Sequence, residues 1–228
     1  MNRMILACAS LLLATTAMAA SGSGTAAQTK PGDTAPVAQP GWVVVEEDWW
    51  YPLRLDSVDA LNNARYYYRR DNEKAAATEI RKAASWMSYA ASHAMPHTQQ
   101  SLVAARTDLM SLADDLDTGK LAGAARMDEV LARASNALAE WHYYRAKEKF
   151  GTHEAGLAAQ DLEAAAAHLE NAARSAHFQY GPDTLTVFED IYKDGKMVSE
   201  GKTIDNDTLG KHLDGIENAV ETMAQALE

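Results

Sequence analysis

The feature that most constrains this chain is alanine set at helical spacing. Ile80, Ala83, Ala84, Met87, Ala90, Ala91 and Ala94 recur at intervals of three and four, and Leu157, Leu162, Ala165, Ala166, Leu169, Ala172, Ala173 and Ala176 repeat the device further along. Residues at that spacing share one face of an α-helix, so each run is an apolar stripe that has to be buried against another. Alanine loses no side-chain entropy on entering a helix, so the run from Ala164 to Ala167 reads as helix before periodicity is considered. Only three phenylalanines occur in 228 residues, so the core is expected to consist of many small contacts between closely approaching helices. The length suits one domain.

Helix signals follow one another along the chain. Val58, Leu61, Ala64 and Arg65 run from an expected N-cap at Asp56 or Ser57 towards Tyr68 and a polar stop at Asp71-Asn72. The next stripe ends where Pro96 forbids another turn, and Thr98 is expected to cap a third helix that carries Leu102, Ala105, Leu109, Leu112 and Leu116 up to Gly119. A fourth helix, from about Ala124 to Phe150, carries Val130, Leu131, Ala134, Leu138, Trp141 and Arg145, and the fifth stops before Gly181-Pro182. Between Thr184 and Ser199 the pattern is a weaker helix, with a short hairpin turned at Asp194-Gly195 as the alternative. Leu209, Leu213, Ile216, Val220, Met223 and Leu227 mark a final helix behind a cap at Asp207 or Thr208. The expected fold is all-α, an antiparallel bundle of five to seven helices. Because Ala60-Leu61 and Ala137-Leu138 each lead through tyrosines and arginine into an alanine stripe, two duplicated helical hairpins are one reading and convergent patterning is the other.

The amino-terminal end reads as targeting rather than fold. Arg3, the apolar run through Ile5, Leu6, Leu11, Leu12 and Leu13, and the small residues Ala17 and Ala19 form a secretory signal over residues 1–19, with cleavage near Ala19. The expected location is the periplasm or the exterior, and the apolar run is too short to span a membrane. Cys8 would leave with that segment, so the mature chain would have no disulfide and no thiolate chemistry. Residues 20–41, rich in Ser, Gly, Thr and Pro, read as a linker. The helical domain is then 42–228, opening on an extended arm at 42–55 whose Trp42, Trp49, Trp50 and Tyr51 serve either packing or binding. Without the leader, 20 basic residues face 32 acidic ones, a net charge of −12, which argues against nucleic acid as a partner and for solubility.

Chemistry is harder to find. A carboxylate-bridged di-iron bundle needs Glu-x-x-His, and the positions three before His153, His168, His177 and His212 are Phe150, Ala165, Arg174 and Leu209. His93, Met95 and His97 form the densest set of metal-ligand types, suited to copper, although Pro96 divides them; His142 or His168 could serve a haem or a metal. Tyr66, Tyr67 and Arg69 in the first hairpin, with His142, Tyr143 and Arg145 in the second, could line an aromatic, cationic pocket for an anionic ligand, or could be wet amphipathic faces. There is no Gly-x-Ser-x-Gly and no glycine-rich phosphate loop. The expectation is a non-enzyme with no cofactor.

Glu46-Glu47-Asp48-Trp49-Trp50-Tyr51-Pro52, Ala76-Ala77-x-x-Ile80-Arg81-Lys82-Ala83-Ala84, Ala137-Leu138-Ala139-x-x-His142 and Asp161-Leu162-x-Ala164-Ala165-x-x-His168-Leu169-Glu170 together resemble a family of exported bacterial helical proteins. Over most of residues 42 to 180 the chain is distantly similar to the YfdX family of periplasmic proteins. That resemblance implies a stress-associated or chaperone-like role with a protein partner or a second copy of the chain, and it brings no catalytic residues. The alternative is a helical bundle that binds a small ligand or a metal through its histidines.

Overall fold

A computed structural model describes residues 55–120 and 123–228 of the chain. The expected signal segment, the linker and all of the arm but Leu55 lie outside those residues. Among the described residues there are seven α-helices and no strand: α1 (Asp56–Tyr68), α2 (Glu73–Ser92), α3 (Pro96–Asp117), α4 (Ala124–Gly151), α5 (Ala155–Ala176), α6 (Pro182–Ser199) and α7 (Asn206–Ala226). The all-α bundle expected from the alanine stripes is what forms. No helix among the described residues is long and apolar enough to cross a membrane.

The ends of the helices differ in detail from the sequence expectation. Leu55 occupies the N-cap position of α1, which places Asp56 and Ser57 inside its first turn and frees Ser57 to point into the core. Pro96 does not merely end α2; it starts α3 as its first residue, where a missing N–H costs nothing. Thr98 therefore lies within the first turn and donates to the Met95 carbonyl at 3.2 Å. At α7 the cap is Asp205, whose carboxylate accepts the Thr208 N–H at 2.9 Å, so Asp207 and Thr208 are helical. Short links turn the chain back on itself through left-handed residues, with φ of 55° at Asp71 and 63° at His153.

The hairpin alternative at Asp194-Gly195 does not form. Phe188 and Ile191 are buried on one face of α6, and Gly195 is buried in the helix where it meets Glu163 of α5. A side chain there would collide with that carboxylate.

Burial divides into two apolar clusters. The first joins α1, α2 and α3 to α4 as far as Trp141, around Leu61, Ile80, Met87, Leu102 and Leu131. The second joins α4 from Ala139 onward to α5, α6 and α7, around Leu162, Leu169, Phe188, Leu209 and Ile216. At 28 residues, α4 is the longest helix among the described residues and the only one of these seven that contributes to both; its length is roughly 42 Å at 1.5 Å per residue. Polar ties fix the last two helices: Tyr192 donates to Glu170 at 3.0 Å, the Tyr180 hydroxyl donates to the Ala219 carbonyl at 3.1 Å, and His212 Nε2 meets Asp194 at 2.9 Å.

Candidate functional site

The polar interior lies where α1, α4 and α5 meet. Along α4, Asp128, Ser135 and His142 are spaced by seven, and along α5 so are Asp161, His168 and Ser175. A spacing of seven returns nearly to the same side of a helix, so each helix turns one polar row to the other. At one end of this seam His142 Nδ1 donates to Asp161 Oδ1 at 2.9 Å, and Arg145 Nε stands 3.4 Å from Asp161 Oδ2. The His142 ring stacks on that of His168, with centroids 5.7 Å apart and planes 17° apart. His168 Nε2 lies 3.0 Å from Ser57 Oγ of α1. At the other end Arg65 of α1 pairs with Asp128 at 3.1 Å and donates to the Arg174 carbonyl at 2.8 Å, while His177 Nε2 meets the second Asp128 oxygen at 3.1 Å.

Asp161 and His168 are fully buried, and His142 and Ser57 almost so. Complete desolvation, with the neighbouring His142 adding to it, holds the His168 imidazole well below its usual pKa. Its Nδ1 has no hydrogen-bond partner among the described residues, and neither do Ser135 Oγ and Ser175 Oγ. Ser57 and His168 are close enough for a nucleophile and its base. The carboxylate, however, holds the other histidine, and the pair is closed inside the bundle rather than facing a cleft.

The residues expected to form a pocket are dispersed. Tyr66, Tyr67 and Arg69 sit at the carboxyl end of α1, which docks near Asp128, whereas His142, Tyr143 and Arg145 are fourteen or more residues further along α4, roughly 21 Å away by helical rise. Arg70 lies over the exposed Tyr66 ring at 3.6 Å, and Arg145 is occupied by Asp161 and by the Trp141 ring. Among the expected metal ligands, His93 Nδ1 bonds the Tyr89 carbonyl and Ser92, Met95 is exposed, His97 packs edge-on against Tyr144 at 4.0 Å, and His168 is in the seam. Among the described residues, no three His, Cys, Asp or Glu side chains converge in a way that could hold a metal ion.

An open groove does exist over α4, between α3 on one side and α7 on the other. Two adjoining cavities, of about 310 and 190 Å3, share Asn136, Glu140 and Ala224. The larger adds Ser101, Asp108 and Leu227, and the smaller adds Tyr143, Tyr144, Glu217 and Glu221. Glu140 is half-buried in the floor; burial raises its carboxyl pKa, while His97 and a hydrogen bond from Ser101 act against that rise. Tyr143 is the one residue of the expected pocket that lines this groove, where Lys147 donates to its hydroxyl at 3.2 Å and stands 3.7 Å from Glu217. Sequence reading missed the groove because one wall is the last helix; the available signal was the carboxylate pair Glu217 and Glu221, one turn apart on α7.

Comparison with protein-family models, with curated proteins and with solved structures finds no match to the chain.

Proposed function

We propose that this chain is a non-enzymatic binding protein of the bacterial cell envelope and that its binding surface is the groove between α3, α4 and α7. The observation that carries the reading is the groove floor, where Glu140 is half-buried beside Tyr143, Tyr144 and Asn136 in a cleft open to a ligand. A partly buried carboxylate in a concave, partly aromatic cleft is a common element of binding sites. The histidines of the seam, by contrast, are spent on internal partners, which supports a structural part for them. An envelope location rests on the signal-like residues 1–19, and the distant similarity to the YfdX family favours an exported helical protein.

A chaperone-like role needs an apolar face for clients. Tyr66, Met95, Val103 and Leu185, the large apolar side chains exposed among the described residues, are scattered over α1, the α2–α3 link, α3 and α6. That role would therefore fall to the tryptophans of the arm, outside the described residues.

The test is a thermal-shift survey of small molecules and periplasmic extract fractions against chain purified from the periplasm, repeated on Ala224→Trp, which fills the groove. Compounds that raise the melting temperature of the parent and not of the filled variant support the reading. No stabilising compound, or stabilisation that survives filling, would overturn it. Sequencing the amino terminus of the same sample should find Ala20 first.

A further inference from the structure

We infer that the seam between α4 and α5 binds ordered internal water between His168 and Ser175, in a hydration site roofed by α1. Four residues there, all fully or almost fully buried, each keep a polar side-chain atom with no hydrogen-bond partner among the described residues: Ser135 Oγ, His168 Nδ1, Asn171 Nδ2 and Ser175 Oγ. Native interiors rarely leave such groups unpaired, because each loses its hydrogen bonds to solvent on folding and gains none in exchange.

Register brings the four together. On antiparallel α4 and α5, His142 meets both Asp161 and His168, which are seven residues apart. A shift of two turns along the pair puts Ser135 in the same relation to His168 and Ser175. The contact of Asp128 with His177 shows that the register holds to the far end of the seam. Asn171 shares the face of α5 with them, three residues after His168 and four before Ser175.

Short side chains cover this stretch. α1 touches α5 at Ser57, beside His168, and at Arg65, which donates to the Arg174 carbonyl, and the turns between carry the wholly buried Ala60 and Ala64. Ala132 and Ala139 flank Ser135 on α4. Ala132 and Ser175 also line an open cavity of about 560 Å3 at the Asp128 end, which gives water an entry to the seam. The occupant suits the lining. Asn171 Nδ2 can only donate, whereas the serine hydroxyls and the imidazole donate or accept, and water answers both. An anion would instead lie between Asp128 and Asp161, a carboxylate towards each end of the seam. Internal water gives each group a shared partner, fewer than bulk solvent supplies when the seam opens.

Magnetic relaxation dispersion of water oxygen-17, measured on the full mature chain, counts internal waters that stay longer than the molecule takes to tumble. Ser135→Val, which puts a methyl group where the hydroxyl stood, should lower the dispersion amplitude by at least one such water. An unchanged amplitude would overturn the inference. Urea unfolding of Ser135→Ala, Ser175→Ala and the double variant is a second readout that does not need the valine variant to fold. The two serines have no hydrogen bond to each other, so a shared water is what couples them. The unfolding constant of the double variant should differ from the product of the single effects by about threefold or more, and simple additivity would overturn the inference as well. Coupling with an unchanged amplitude would mean that the two hydroxyls bond each other directly, and the water falls.

Discussion

The imidazole of His168 is fully buried, with Ser57 on one nitrogen and the His142 ring beside it, and burial holds its pKa well below the ordinary imidazole value. In the unfolded chain the same group takes a proton near pH 6.5. Between those two values the unfolded state holds the extra proton, so acid favours unfolding. The stability this group leaves intact is therefore full above about pH 6.5 and falls as pH drops towards the folded value, by up to about 1.4 kcal/mol per pH unit. Other groups titrate over the same range, so the test is a difference. His168→Gln keeps an amide within reach of Ser57 and takes no proton. Between about pH 7.5 and pH 5 its urea-unfolding free energy should fall by up to about 2 kcal/mol less than that of the parent; equal losses would show that His168 is not the group that resists protonation. The histidines were visible in the sequence as ligand types, but their actual partners were not. Ser57 and His168 are 111 residues apart, and no local pattern shows which helices meet. The sevenfold spacing of Asp161, His168 and Ser175 was legible, but only to a reading that lets polar residues mark a buried face.

Helices α6 and α7 test how far local propensity decides an element. Gly210 and Gly215 both lie in α7, and a helix interior ordinarily gains about 0.5 to 1 kcal/mol when glycine becomes alanine. A Cβ at Gly210 meets nothing within 4 Å, so Gly210→Ala should stabilise the chain by about that amount. A Cβ at Gly215 would stand 2.6 Å from Val187 Cγ1 on α6 and 3.3 Å from its Cβ. Valine is stiff at χ1 and cannot swing clear, so Gly215→Ala should lose about 1 to 3 kcal/mol despite the better helix former. Thermal denaturation of the two single variants checks the sign of each. A shared sign would mean that the α6–α7 crossing is looser than the structure shows. Gly195 makes the same point about reading. In sequence it suggested a turn after Asp194, because glycine is the usual residue of tight turns. Its use here is close packing against Glu163, a reason that only the neighbouring helix reveals.

At the scale of the whole molecule, the alanine stripes made the bundle legible, yet the division of its interior into two clusters was not, because both are built from the same residue types. The division has a mechanical consequence. Each cluster is held together by leucine, isoleucine and methionine, while the seam between α4 and α5 is built from Asp128, Ser135, His142, Asp161, His168 and alanine. Opening a polar seam to water solvates groups such as Ser135 Oγ and Ser175 Oγ that have no hydrogen-bond partner among the described residues. The second cluster, α5 to α7 with the end of α4 from Ala139, should therefore open as a unit of its own while α1 to α3 and the start of α4 stay folded, as sub-global unfolding units do. Ile216→Ala, a truncation in the second cluster expected to cost about 2 to 4 kcal/mol, provides the test. By native-state hydrogen exchange it should lower the protection of the most slowly exchanging amides of α5 and α7 and leave those of α2 around Ile80 and Met87 unchanged, whereas Leu109→Ala in the first cluster should lower those of α2. If Ile216→Ala lowers both sets equally, α4 welds the two clusters into one cooperative body, and the polar seam is a joint that never opens alone.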